Sequence, residues 1–269
     1  MQAKSILDRI VADVRRRLDE TPEMPGLEAA VHAAAETRRQ RGLRSLRKAL
    51  SGSGPAVIAE CKKASPSAGV IRADFDPVAL ARDYAEGGAA AISVVTEPEH
   101  FSGDPQWLAV VRRAVDLPVL RKDFLVTRRQ LHESAVLGAD AVLLISRILD
   151  RETLAELLAT ASELDIEVLL EIFVDEDPAS AVASGAEIIG VNARDLATFE
   201  TRLDRVEALA NKLPADRVRV AESGIHGPGD LARLHEAGYD AFLVGEHLVR
   251  AADPEAEIRT LLRESVSDQ

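Results

Sequence analysis

The chain has 269 residues, with 33 Lys and Arg against 45 Asp and Glu, a net charge of −12 and an isoelectric point near 5.1; this balance argues against nucleic acid or an anionic membrane as partner, because both reward a basic surface. Hydrophobic residues make up 46% and aromatics 3%, so the core must be built from Ala, Val, Leu and Ile, in a length that suits one α/β barrel of about 250 residues. There is no run of about 18 apolar residues, the first residues lack an apolar signal region, and Cys61 as sole cysteine rules out an internal disulfide or a cysteine-based zinc site, so a cytoplasmic location is expected.

Residues 1–50 read as a helical extension covering a barrel unit that occupies 51–269, the two forming one structural domain. Ile6, Leu7, Ile10, Val11, Val14 and Leu18 keep helical spacing behind Ser5, a good N-cap. A second helical run over 26–49 carries Arg38, Arg39, Arg41, Arg44, Arg47 and Lys48, read as a solvated face in preference to a recruiter of anions. Ser51-Gly52-Ser53-Gly54-Pro55 then breaks the helix.

From there strands and helices alternate. Short apolar strands are predicted near 57–61, 91–95, 119–122, 141–145, 168–171, 188–191, 218–222 and 241–244. Amphipathic helices fall at 77–86, 105–115, 128–137, 151–164, 177–184, 205–213, 229–237 and 253–265. A weak internal echo repeats the junction: Gly88, Gly138, Gly185 and Gly238 each close a helix shortly before an apolar strand. Eight βα units with near-continuous apolar strands predict an α/β fold, a (β/α)8 barrel. The alternative of an open dinucleotide-binding sheet lacks its G-x-G-x-x-G after the first strand.

In such barrels chemistry sits at the C-terminal strand ends. The first strand runs through Glu60, Cys61, Lys62 and Lys63 into a Ser65-Pro66-Ser67-Ala68-Gly69 loop. Alternation puts Glu60 and Lys62 on one face and Cys61 on the other, where it reads as packing. The pair is either a strand end dipping into water or half of a catalytic site. Other strands deliver Thr96 and Glu97, Lys122 and Asp123, Ser146 and Arg147, Glu171, Asn192 and Arg194, Glu222 and Ser223, and Gly245 and Glu246. Glu171 follows the apolar stretch Val168-Leu169-Leu170 and Lys122 ends the strand Val119-Leu120-Arg121, and long charged side chains are seldom placed in a mouth without partners. Burial lowers a lysine pKa and carboxylates raise it, so the sign of any shift stays open here. Arg194 stays charged and suits a clamp. Gly224 and Gly245, after the seventh and eighth strands, let backbone N–H groups approach a phosphate.

The runs Ile58–Ser67, Leu120–Phe124, Leu169–Glu171, Ile189–Leu196 and Ala221–Ile225, together with the helical leader at Ile6–Val11, resemble indole-3-glycerol phosphate synthases across most of the chain. The resemblance implies a carboxy-lyase of tryptophan biosynthesis that closes the ring of 1-(2-carboxyphenylamino)-1-deoxy-D-ribulose 5-phosphate with loss of carbon dioxide and water, and needs no metal or organic cofactor. It implies Lys122 as the donor to the ribulose carbonyl, Lys62 as holder of the anthranilate carboxylate, Glu171 as acid/base in dehydration, and Glu60, Asn192 and Glu222 around them. Phe101, Phe124 and Leu143 match the wall for the aryl ring, Arg194 and Ser223 substrate-binding residues, and Ser65, Gly224, Gly245 and the backbone of Glu246 the phosphate end. Glu246 departs from the small hydroxyl residue often found there; an acid beside a dianion is unfavourable unless its carboxylate turns away. The expected partner is a small phosphorylated substrate, with the chain a monomer or weak homo-oligomer. Two other readings are a phosphosugar barrel such as phosphoribosylanthranilate isomerase, which the Lys62, Lys122 and Glu171 set fits poorly, and a barrel that binds an anionic ligand without turnover.

Overall fold

Apolar runs such as Ala56–Cys61 and Ile188–Asn192 are buried along their whole length, as parallel strands covered on both faces must be. The computed structural model describes residues 5–176, 178–194 and 200–264. Three leader helices, α1 (Ile6–Glu20), α2 (Leu27–Arg41) and α3 (Leu46–Leu50), precede β1 (Ala56–Cys61) and a small hairpin of β2 (Ala64–Ser65) and β3 (Gly69–Val70). Then follow α4 (Pro77–Gly87), β4 (Ala91–Val95), α5 (Pro98–Phe101), α6 (Pro105–Ala114), β5 (Val119–Lys122), α7 (Arg128–Leu137), β6 (Ala141–Ile145), a 3-10 turn at Ser146–Ile148 and α8 (Arg151–Glu163). The chain continues through β7 (Glu167–Phe173), α9 (Pro178–Ala183), β8 (Ile188–Asn192), α10 (Leu203–Ala210), β9 (Val218–Glu222), α11 (Pro228–Glu236), β10 (Ala241–Val244), α12 (Glu246–Arg250) and α13 (Pro254–Glu264).

The long strands close a parallel barrel in the order β1-β10-β9-β8-β7-β6-β5-β4, the predicted (β/α)8 fold. Strand alternation divides the core in two. Ile58, Leu120, Leu143, Leu169, Val220 and Leu243 fill the interior, while Val57, Ala59, Val94, Val142, Leu170 and Val191 pack outward against the helices. Gly88, Gly138, Gly185 and Gly238 all take positive φ, so the repeated glycine is a left-handed helix stop that only glycine adopts without strain. No helix among the described residues is long and apolar enough to cross a membrane.

The leader runs from one end of the barrel to the other. Helix α1, capped by Ser5 as expected, packs Ile10 and Val14 with Phe101, Phe124, Val126 and Ile148 at the C-terminal mouth. Helix α2 lies along α7. Leu46 and Leu50 of α3 join Ala56, Ala91, Ala141 and Ala241, the strand-start residues, and so plug the opposite end. The helical run expected over 26–49 is in fact two helices, because Gly42 at φ 83° ends α2.

The basic cluster is another correction. Arg38 is buried and donates to the carbonyls of Ala139 and Asp165 at 2.8 and 2.7 Å. Arg44 donates to those of Arg112, Val115 and Leu117, 2.7–3.3 Å away, and pairs with Asp116. These carbonyls lie at or just beyond the ends of α6, α7 and α8, where helices leave acceptors unpaired and carry partial negative charge. Arg38 and Arg44 are therefore staples, while Arg39, Arg41 and Arg47 stay near solvent. Strand predictions match within two residues, and the last predicted helices start or end a few residues away. Asp177, Asp195, Leu196 and Ser265, included in the sequence readings, lie outside the described residues.

Candidate active site

Above a largely apolar barrel interior, β1, β5, β7 and β9 turn Glu60, Lys122, Glu171 and Glu222 inward near their C-terminal ends, while β4, β6 and β10 contribute Val95, Ile145 and Leu243. A mouth open to solvent is lined by Glu60, Lys62, Ser65, Phe101, Lys122, Phe124, Leu143, Glu171, Asn192, Arg194, Glu222, Ser223, Gly224, Gly245 and Glu246. Every site residue expected from the sequence thus borders one cavity. The shared face of Glu60 and Lys62 is real: Lys62 Nζ lies 2.7 Å from Glu60 Oε1.

Lys122 stands between two carboxylates, its Nζ 3.7 Å from Glu171 Oε2 and 3.9 Å from Glu222 Oε2. Burial alone would lower the Lys122 pKa, but Glu171, Glu222 and Glu60 outweigh it and raise the pKa above the ordinary value, so the amine holds its proton. For Glu60, burial favours the protonated form, yet Lys62 and Lys122 more than offset it and the carboxyl sits below the usual range. Glu222 goes the other way: burial first, then the neighbouring charge of Glu171, push it well above the usual carboxylate range. Neither Glu222 oxygen has a hydrogen-bond partner among the described residues. This environment favours the protonated form of Glu222, in which the carboxyl can donate as well as accept a hydrogen bond.

Asn192 Nδ2 donates to Glu171 Oε2 at 3.2 Å, and its Oδ1 accepts the Arg194 N–H at 3.0 Å, which ties β8 to β7 at the rim. Two glycines make the carboxylates possible. A side chain at Gly190 would overlap Glu222 Oε1 and lie 3.2 Å from its Cδ; one at Gly245 would overlap Glu60 Oε1 and lie 3.1 Å from Lys62 Nζ. Gly245 therefore accommodates Glu60 in addition to whatever approaches its backbone. Beyond β9, Ser223 and Gly224 both take positive φ and turn the chain at the rim. In the hairpin, Ser65 Oγ accepts the Ala68 N–H at 3.2 Å. The Glu246 carboxylate turns to Arg250 at 2.9 Å, which draws its charge away from the mouth. Phe101 and Phe124 form a tilted pair with centroids 6.0 Å apart.

Several contributors were not foreseen. Ile6 and Ile10 of α1 line the cavity; their helical spacing was visible but not the surface they would cover. Arg121, on the outward face of β5, donates to Asp123 Oδ2 at 2.9 Å, Thr96 Oγ1 at 3.2 Å and Ser134 Oγ at 2.9 Å. Thr96 donates to the same Asp123 oxygen at 2.6 Å, and Asp123 Oδ1 accepts the Phe124 N–H at 2.8 Å. This buried lattice fixes the turn that follows Lys122. Its signal in the sequence was an arginine inside a strand, which burial permits only when it is paired. Cys61 packs outward as expected, and burial pushes its thiol up, away from reactivity.

Residues 7–261 match the family model described as indole-3-glycerol phosphate synthase. A protein of that name from Polaromonas sp. is 45% identical over 251 residues, covering 93% of this chain and 95% of its own. Another from Sulfurimonas denitrificans is 49% identical over 205 residues, covering 76% and 78%. Among solved structures, the 3-hexulose-6-phosphate synthase of Salmonella typhimurium superposes with a TM-score of 0.63 at 14% identity, over 80% of this chain and 100% of that one. At that identity the likeness bears on the fold alone.

Proposed function

The chain belongs to the indole-3-glycerol phosphate synthase family, and from that premise we propose how its own residues divide the reaction. The enzyme is a carboxy-lyase of tryptophan biosynthesis. It converts 1-(2-carboxyphenylamino)-1-deoxy-D-ribulose 5-phosphate to indole-3-glycerol phosphate: the ring carbon bearing the carboxylate attacks the ribulose carbonyl, carbon dioxide leaves, and water is lost.

Lys122 is the proton donor to the carbonyl oxygen at ring closure. The observation that carries this role is its station between Glu171 and Glu222, which keeps it protonated at the floor of the mouth. A donor with a raised pKa gives up its proton only when the acceptor becomes strongly basic, as the carbonyl oxygen does on attack. Lys62 binds the anthranilate carboxylate, exchanging part of its pairing with Glu60 for the substrate. Glu171, held by Asn192, removes and returns protons in dehydration. Protonated Glu222 is a neutral donor beside it, and its lack of a partner supports contact with substrate. Lys62, Lys122 and Arg194 are the cationic groups that line the mouth, and an anionic substrate needs such local positive charge.

The aryl ring lies against Phe101, Phe124 and Leu143, which folds the flexible substrate for attack. Arg194 clamps the substrate, and the phosphate sits at the rim among Ser65, Ser223, Gly224, Gly245 and the backbone of Glu246. With the carboxylate of Glu246 paired to Arg250, the acid there is compatible with a dianion. The leader of residues 1–50 acts as a cover and a strap. The protein works in the cytoplasm, as a monomer or weak homo-oligomer, without nucleic-acid or membrane partners.

The test is a fluorescence time course after mixing protein with the carboxyphenylamino-deoxyribulose phosphate in chelator-treated buffer. Indole-type emission that grows with the parent and stays flat with Lys122→Met supports the assignment. A flat trace with the parent despite calorimetric binding would favour the ligand-binding barrel instead.

A further inference from the structure

Glu97 follows β4 and has a completely buried side chain that borders the mouth, yet none of its bonds points to a ligand. Its Oε1 accepts the Glu99 N–H at 3.1 Å, and its Oε2 accepts the N–H groups of His100 at 2.6 Å and Phe101 at 3.1 Å. It is thus the N-cap of α5, a helix of four residues. So short a helix has no stability of its own, because nucleation costs more than its few bonds return. Where Phe101 stands is therefore set by the Glu97 carboxylate.

The same carboxylate has a second engagement. Arg17 of α1 places its guanidinium 3.2 Å from Glu97 Oε1 and 3.1 Å from Glu99 Oε1. Around this pair, Arg16 reaches Glu99 Oε2 at 3.1 Å and His100 Nε2 meets Asp13 Oδ2 at 3.0 Å. The face of α1 so fixed presents Ile6 and Ile10 to the mouth, and Ile10 and Val14 pack in the cluster that holds Phe101 and Phe124. One buried charge thus holds two walls of the aryl pocket: Phe101 through the backbone of α5, and Ile10 through Arg17.

We propose that Glu97 is a positioning residue for ring closure, a clasp through which the leader helix and the Phe101 wall are set relative to each other. The inference rests on the reading of Phe101 as a wall of the aryl pocket. The arrangement acts on substrate binding and pose; Glu97 neither gives nor takes a proton. The exposed part of the cluster contributes little, since such pairs are screened by water. The buried Arg17–Glu97 contact matters because removing one partner leaves the other charge without compensation.

The experiment is a double-mutant cycle in the full chain with steady-state kinetics, using Arg17→Met, Glu97→Gln and their combination, with Arg17→Lys as conservative variant and Phe101→Ala as control. Misplacing a pocket wall predicts a KM about tenfold higher for Arg17→Met and Glu97→Gln, with kcat changed less than about threefold. The double variant should be no worse than the poorer single one within about twofold, because both remove one contact. Arg17→Lys should restore most of the loss. An unchanged KM in Arg17→Met, or losses that multiply in the double variant, would overturn the clasp. Arg17 is partly exposed, so its variants report even if Glu97→Gln folds poorly. A raised KM in Phe101→Ala beside a normal Arg17→Met would sink the clasp alone, while an unchanged KM in Phe101→Ala would remove the aryl-wall reading and the clasp together.

Discussion

Replacing Gly190 by alanine adds one methyl group, and the structure says where it goes. The new Cβ would overlap Glu222 Oε1, lie 3.2 Å from Glu222 Cδ and lie 3.2 Å from Leu169 Cδ1. Gly190 is a strand residue in β8 without positive φ, so alanine costs nothing in backbone strain and the effect is steric. The carboxylate has to leave its place beside Lys122, since Leu169 belongs to the packed interior. Overpacking of this kind costs about 1–3 kcal/mol. For a chain of this size that predicts a fall in Tm of roughly 2–10 °C. Activity should suffer more, because a catalytic group displaced by about 1 Å loses on the order of 10²-fold in kcat. Calorimetry and the fluorescence assay on the same preparation measure both. The internal control is Gly190→Ala combined with Glu222→Ala, where the methyl group fits the vacated space and the Tm penalty should disappear. A Gly190→Ala protein with kcat and Tm equal to the parent would refute the placement of Glu222 and the role built on it.

Lys122→Met should lower kcat by on the order of 10²–10⁴-fold, with KM within about threefold, because a transition-state proton donor adds little to ground-state binding; near-normal turnover would contradict the assignment. Glu222→Gln tests the raised carboxyl pKa through stability. The unfolded chain ionises Glu222 near the ordinary glutamate value of 4.5, whereas the folded environment raises its pKa well above that. Folding stability is therefore lost as pH rises through that window, by up to about 1.4 kcal/mol per pH unit. The Tm of Glu222→Gln relative to the parent should climb between about pH 5 and pH 7, and a gap independent of pH would show that Glu222 ionises normally. Deleting residues 1–24 removes α1 but keeps Arg38, Arg44, Leu46 and Leu50, the staples and plug of the far end. That protein should still melt cooperatively while KM rises about tenfold through loss of the Ile6 and Ile10 wall; an unchanged KM would deny α1 any part in the pocket.

The barrel and the polar strand-end residues of its mouth were legible from local patterns, whereas Ser65, Phe101, Phe124 and Leu143 came only from the family resemblance. Strand alternation is a property of the extended backbone, so Glu60 with Lys62, or Val218 and Val220 with Glu222, could be assigned to common faces before any contact was known. The strand-end rule of the barrel then gathered Lys122, Glu171, Asn192 and Arg194 into one mouth. What the sequence could not supply is everything that depends on the distance between residues far apart in the chain. The Lys122 pKa has opposing contributions, and only the carboxylates brought to it by β7 and β9 decide its sign. Glu60 and Glu222 look alike as strand-end acids, but one has a lysine at 2.7 Å and the other stands beside Glu171 without a hydrogen-bond partner, so they shift in opposite directions. The leader shows the same limit. Helical periodicity revealed which face of α1 is apolar, but not that the face closes the mouth, and a row of arginines read as solvated because no local pattern records the helix ends that Arg38 and Arg44 reach across the fold. Periodicity is encoded residue by residue, whereas charge state and covering surface arise only when tertiary packing sets the neighbours.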